Sequence, residues 1–157
     1  MGASIERNAD ISIEISAHLQ YLALVRSFAN CLAKHLNLAA EEAVQLEMCL
    51  DEACANSIEA IREVEGEHPR TKVRIDVEIK NDHFRITIHD NGKDFSRNFA
   101  EALPLCPSSD RTRTRGYGLQ IIKTLMDEVH YVHDPQAGNR LHLVKFFARS
   151  GGESILG

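Results

Sequence analysis

Ile11, Ile13 and Ile15 alternate with Ser12, Glu14 and Ser16, the two-residue period of a strand with one face buried. The period then lengthens. Leu19, Leu22, Val25, Ala29, Leu32 and Leu36 recur at helical spacing, which predicts a helix of roughly five turns ending at Asn37. Ala40-Glu41-Glu42 puts acidic residues in the first turn of a second helix, where they suit the positive end of its dipole. Leu46, Leu50, Cys54, Ser57 and Ile61 form its inner stripe, and Gly66 and Pro69 stop it. Val73, Ile75, Val77 and Ile79 alternate with charged residues, as do Phe84, Ile86 and Ile88. With Asn81-Asp82 between them, the two runs predict a hairpin.

From Lys93 to Thr114 no period is sustained, and Pro104, Pro107, Ser108 and Ser109 interrupt the segment. A loop of that length inside a domain is more often functional than idle. Leu119 to Met126 then predicts a helix and Val129 to Val132 a short strand. A turn around Pro135 and Gly138 leads to a final strand, Leu141 to Phe147, apolar on both faces and so central in its sheet. The order β-α-α-β-β-loop-α-β-β does not alternate as a parallel sheet would. It predicts an α+β two-layer sandwich, a mostly antiparallel sheet with helices on one face.

At 157 residues the chain reads as one domain with a core over 11–147 and a frayed tail over 150–157. Its 43% hydrophobic and 26% charged content is ordinary for a globular protein. A net charge of -5 argues against a general nucleic-acid binder. Cys31, Cys49, Cys54 and Cys106 lack zinc-ribbon or CxxC spacing and read as buried, reduced thiols. No signal-like or membrane-spanning apolar run stands in the sequence, so a cytoplasmic location is expected.

Three short motifs carry candidate chemistry. Glu52 and Asn56 stand four apart on the second helix, one turn apart on one face. An amide oxygen there can ligate Mg²⁺, and a carboxylate one turn away can order a water or accept a proton. An exposed polar pair on an amphipathic helix gives the same spacing. Asp90 falls in phase with Phe84, Ile86 and Ile88, so it points to the core face, where a charge needs a partner. The amino group of an adenine ring would supply one, and Gly92 would let the backbone approach that ring. Asp90-Asn91-Gly92 is equally a good turn sequence, and the residues alone leave both readings open. Gly116-Tyr117-Gly118 opens a helix whose first N–H groups could meet phosphate, with Arg111, Arg113 and Arg115 just upstream. In isolation those arginines are a solvated basic loop. His130 and His133, three apart on a strand, face opposite ways and should not share a metal.

Taken together, these residues resemble the GHKL (Bergerat-fold) ATPase superfamily of gyrase, Hsp90, histidine kinases and MutL. More narrowly they resemble its anti-sigma-factor serine/threonine kinase branch, of the RsbW and SpoIIAB type. LDEACANSIEA (50–60) is similar to that branch's N box, IHDNGKDF (88–95) to its first glycine box and RGYGLQIIKTLMDEV (115–129) to its second. GNRLHLVKFF (138–147) is similar to its closing strand.

The resemblance implies Asn56 as the Mg²⁺ ligand and Glu52 as the catalytic base or water-orienting residue. It implies Asp90 on the adenine amino group and Gly92 shaping the adenine pocket. Gly116 and Gly118 would hinge an ATP lid over about 93–115, with Tyr117, Leu119 and Asn139 completing the nucleotide site and Arg113 or Arg115 meeting the γ-phosphate. Asp94 stands where the first box usually has a second glycine, Asn139 where a threonine is common, and Ala60 where the branch commonly has a histidine. The fold implied is an α/β sandwich on a mixed sheet. The function implied is Mg²⁺- and ATP-dependent phosphorylation of an anti-anti-sigma (STAS-domain) partner and sequestration of a sigma factor, often by a homodimer. The alternative is an ATP-binding module that regulates by binding alone.

Overall fold

The computed structural model describes residues 9–103 and 117–148. Strand β1 (Ile11–Ser16) leads through one 3-10 turn (Leu19–Tyr21) into α1 (Leu22–His35), and α2 spans Ala40–Glu65. The hairpin is β2 (Lys72–Ile79) and β3 (His83–Asp90). Two short helices, α3 (Ser96–Glu101) and α4 (Gly118–Leu125), precede β4 (Glu128–Asp134) and β5 (Gly138–Phe146).

The five strands lie in the order β1-β2-β3-β5-β4. The chain leaves β3, passes through the two short helices and returns as β4 at the far edge. The β4–β5 hairpin then folds β5 into the gap, making it an internal strand as its apolar run predicts. Each pairing among the described residues is antiparallel, where the family resemblance implied a mixed sheet. The consequence for the site is a register. Asp90 at the end of β3 pairs with Asn139 at the start of β5, which pairs in turn with His133 on β4.

One face of the sheet carries the core. Val25, Ala29 and Leu32 of α1 and Leu46, Leu50, Cys54, Ser57 and Ile61 of α2 are buried, along with Val73, Ile75, Val77, Phe84, Ile86, Ile88, Leu141 and Leu143 from the strands. The alternating and helical stripes thus meet as their periods require. The first helix is shorter than its stripe suggests. Tyr21 at its N-cap makes no side-chain capping bond, the preceding turn tightens to 3-10 geometry, and Leu19 stays exposed. Of the thiols expected to be buried, Cys49 and Cys54 are, whereas Cys31 is exposed.

Two more elements differ from expectation. α3 lies inside the segment that shows no period. Asp94 Oδ1 accepts the Ser96 N–H at 2.9 Å, and Phe95 and Phe99 pack on the Tyr131 ring with centroids 4.2 and 5.8 Å away. β4 runs past Val132 because the backbone of His133 and Asp134 still pairs with Asn139 and Gly138, whatever the polarity of the side chains. Among the described residues no helix is long and apolar enough to cross a membrane.

The other face of the sheet is polar, with Arg74, Thr87, His89, Arg140 and His142 in adjacent rows. Burial, reinforced by Arg85, Arg140, His89 and His130, pushes His142 down to about 4, while its Nδ1 hydrogen-bonds Thr87 Oγ1 at 2.9 Å. The unfolded chain binds this proton near pH 6.5 and the folded chain resists it. The histidine's contribution to stability is therefore whole above pH 6.5 and lost as pH falls from there towards 4.

His142→Asn, which keeps a polar atom near the Nδ1 position, should make the urea midpoint less sensitive to pH between 7 and 4. An unchanged pH slope would contradict this account. Gly138 has a φ of +85° and its absent Cβ would lie 2.6 Å from the Asp90 carbonyl oxygen and on the Asn91 side chain. Gly138→Ala should therefore cost about 2 kcal/mol of unfolding free energy, read from the same urea titrations.

Candidate functional site

The longest helix, α2, sorts its polar residues by angle. Ser57 turns inward and is buried among the core residues, while Glu52 and Asn56 face a cleft of about 1030 Å³. Ala60, Glu63, Lys93, Asp94, Phe95, Tyr117, Gly118, Leu119 and Gln120 also border this cleft. The sequence-predicted residues thus fall into two groups. Glu52, Asn56, Tyr117, Gly118 and Leu119 line the cleft. Asp90, Gly92 and Asn139 stand directly behind its wall, joined to it at Ala60 and Lys93. Arg111, Arg113, Arg115 and Gly116 lie outside the described residues.

Asp90 is 5% exposed, and its charge is met by three donors. Ser57 Oγ donates to Oδ2 at 2.7 Å, the Gly92 N–H to Oδ1 at 2.8 Å, and Asn139 Nδ2 to Oδ1 at 2.8 Å. The core-facing phase of the strand is as expected, but the partners that make it tolerable come from the protein itself. Gly92 has a structural reason too. A Cβ there would sit 2.5 Å from the backbone of Ala60 and Ile61, where the Lys93 N–H donates to the Ala60 carbonyl at 2.9 Å. The close approach this glycine allows here is between the strand end and α2.

Gly118 does the same on the other side. A Cβ at this position would lie 2.5 Å from Glu52 Oε2 and 3.3 Å from Asn56 Nδ2, so the start of α4 is seated on the Glu52/Asn56 pair. Tyr117, the residue capping α4, provides no side-chain cap. The Asn56 amide nitrogen is buried with no hydrogen-bond partner among the described residues, an orphaned polar atom beside a helix N-terminus. Burial raises the Glu52 carboxyl above its ordinary value, with Asp51 and Glu59 adding to the shift. A half-buried carboxylate held towards its neutral form is the electrostatic profile of a proton acceptor.

The described lining is acidic. Glu52, Glu59, Glu63, Glu67, Asp94 and Glu101 stand against Arg62 and Lys93, and Lys93 is engaged by Glu63 at 2.8 Å. Such a cleft needs cations to accept a polyphosphate. An amide and a carboxylate one turn apart on the cleft wall carry oxygens of the kind that could hold Mg²⁺. That ion keeps waters and takes its remaining oxygens from phosphates.

Several residues with a place in the site were not singled out by motif reasoning. Ser57 was legible as a polar position in an apolar stripe. His133, considered only as a metal ligand, meets Asn139 Oδ1 at 2.7 Å. Lys123 donates to the carbonyls of Phe99 and Ala102, the latter at 2.7 Å, and lies 4.0 Å from the Phe99 centroid. It ties the end of α3 to α4, and a lone lysine on a helix gives no sequence signal for that.

The family profile described as the histidine kinase-like ATPase domain matches residues 15–145. Over 155 residues the chain is 26% identical to the serine-protein kinase RsbW of Bacillus cereus (strain Q1), a match covering 96% of this chain and 92% of that protein. The serine-protein kinase RsbW of Bacillus thuringiensis subsp. konkukian (strain 97-27) is 26% identical over the same shares, and that of Bacillus anthracis (strain CDC 684 / NRRL 3495) 25%. Among solved structures, a chain of the SiaB–SiaC complex from Pseudomonas aeruginosa superposes with a TM-score of 0.64 at 11% identity. The match covers 90% of this chain and 92% of that one, and the likeness is one of fold.

Because the Glu52 carboxyl is raised, its contribution to stability is present below the unfolded value of 4.5 and is lost as pH rises through the folded value. Glu52→Gln should therefore melt higher than the native protein at pH 7–8, with the difference vanishing as pH falls below 4.5. A difference that grows on acidification would refute the desolvation account.

Proposed function

Because the chain belongs to the histidine kinase-like ATPase domain family, we propose that it is an ATP-dependent protein serine/threonine kinase acting as an anti-sigma switch in the cytoplasm. Its substrates would be Mg-ATP and a Ser or Thr hydroxyl of an anti-anti-sigma (STAS-domain) protein, and it would hold a sigma factor as a homodimer. The seating of Gly118 on both Glu52 and Asn56 is the chief support, since it joins a carboxylate, an amide whose nitrogen has no partner among the described residues and a helix N-terminus in one place.

In this reading each residue has a defined task. Asn56 presents its amide oxygen to Mg²⁺, which when bound offsets charge on the β- and γ-phosphates. The start of α4 at Gly118 and Leu119 presents backbone N–H groups to the same phosphates. Asp90 accepts from the adenine 6-amino group. Glu52 takes the proton of the attacking hydroxyl as its oxygen bonds to the γ-phosphorus and the bond to the bridging β–γ oxygen breaks. Arg113 or Arg115 neutralises the charge that develops there. Positioning and electrostatics carry most of phosphoryl transfer, which matches a site built from so few side chains.

Single-turnover transfer from γ-labelled ATP to a STAS-domain protein of the same host tests the assignment. The native chain should yield an acid-stable phosphoserine or phosphothreonine. Asn56→Ala should weaken Mg-ATP binding on the order of a hundredfold, and Glu52→Gln should bind ATP yet transfer on the order of 10² to 10⁴ more slowly. Undiminished Mg-ATP binding by Asn56→Ala would overturn the ligand assignment. Tight ATP binding by the native chain without transfer to any partner would leave the binding-only module.

A further inference from the structure

At the site end of the sheet, three neighbouring strands put Asp90, Asn139 and His133 in one row. Their side chains form a continuous line, with His133 Nδ1 to Asn139 Oδ1 at 2.7 Å and Asn139 Nδ2 to Asp90 Oδ1 at 2.8 Å. The direction of every hydrogen in that line is set by chemistry. Asn139 Nδ2 faces three acceptors: Asp90 Oδ1, the Gly92 carbonyl at 3.0 Å and the Lys93 carbonyl at 3.3 Å. That end must be the amide NH₂, since the opposite rotamer would set oxygen against three oxygens. The other end is then a carbonyl, so His133 Nδ1 carries the hydrogen between them. Asn139 is 1% exposed, which leaves its oxygen little access to solvent.

We propose that His133 is a positioning residue for nucleobase recognition. Its Nδ1–H holds the Asn139 amide, which in turn holds the Asp90 carboxylate and the carbonyls of Gly92 and Lys93 where the base must dock. This inference rests on the reading of Asp90 as the base contact. A carboxylate offers about four acceptor positions. Oδ1 uses two of them, on the Gly92 N–H and Asn139, and Oδ2 uses one on Ser57. A single acceptor position is left. It matches the one 6-amino donor that adenine offers, and it is one short for the adjacent N1–H and 2-amino donors of guanine. Removing His133 leaves the Asn139 carbonyl buried without its donor. The amide then turns or admits water, the Asp90 carboxylate is no longer held in place, and both its aim at the 6-amino group and the count that disfavours guanine are lost.

Calorimetric affinities for Mg²⁺ complexes of ATP, GTP and purine riboside triphosphate, which lacks the 6-amino group, test this in the native chain, His133→Ala and His133→Asn. The native chain should prefer ATP over both other nucleotides. His133→Ala should lose ATP affinity on the order of tenfold while holding purine riboside triphosphate nearly unchanged, so the ratio between them collapses. His133→Asn, whose amide nitrogen overlaps the Nδ1 position, should restore the ratio. Should His133→Ala fail to fold, His133→Asn against His133→Gln gives the same contrast, because the longer amide misplaces its donor. An equal loss for both nucleotides, an unchanged ratio in His133→Ala or Gln, or no recovery in a folded His133→Asn would each overturn the role of His133. A native chain without preference for the 6-amino group would instead overturn Asp90 as the base contact, so the two failures are distinct.

Discussion

The site is organised by one buried charge. A carboxylate removed from water costs several kcal/mol unless donors replace its hydration, and Asp90 obtains them from three separate pieces of chain. Ser57 belongs to α2, the Gly92 N–H to the turn that follows β3 and the Asn139 amide to β5. Satisfying one side chain therefore fixes the longest helix against the sheet, the strand end against the helix, and the last strand beside β3. The Asn139 amide donates as well to the Gly92 and Lys93 carbonyls, so the same group also ties β5 to the turn that follows β3.

That convergence is possible only where backbones can come unusually close. At Gly92 the strand end touches the α2 backbone, at Gly138 the closing hairpin rests on the Asp90 carbonyl and the Asn91 side chain, and at Gly118 the start of α4 rests on Glu52 and Asn56. Each glycine stands at a different wall of the same small volume. Their spacing in the sequence looks like loop punctuation. In the fold they are the contacts that let two helices and two strands share a corner.

Much of this was legible in the chain itself. The inner stripe of α2, the β2–β3 hairpin and the core-facing phase of Asp90 follow from periods of 3.6 and 2.0, which depend only on near neighbours. What the periods could not carry is whatever depends on distant residues. α3 exists because Phe95 and Phe99 find Tyr131, a partner more than thirty positions away. β4 extends to Asp134 because backbone pairing with β5 ignores side-chain polarity. His133 gives no local hint of its role, since its partner Asn139 becomes its neighbour only when the hairpin closes. Ser57 is the instructive case, a polar residue written into an apolar stripe, visible as an anomaly before its reason was.

α2 also shows how a site and its scaffold divide one helix. Burial disfavours the ionised form of Glu52, and Asn56 has a buried nitrogen without a partner among the described residues, so both residues oppose folding in the absence of ligand. Leu50, Ala53, Cys54, Ser57 and Ile61, interleaved with them, are buried against the core and oppose unfolding. A rotation of about 100° per residue keeps these two sets on different faces although they alternate along the chain. The unfavourable groups are therefore rigidly placed by their own neighbours, and a ligand that supplied a cation to Glu52 and a partner to Asn56 would recover free energy that the bare helix forgoes. That coupling, rather than any single contact, is what would distinguish this face of α2 as a binding site from a merely polar surface.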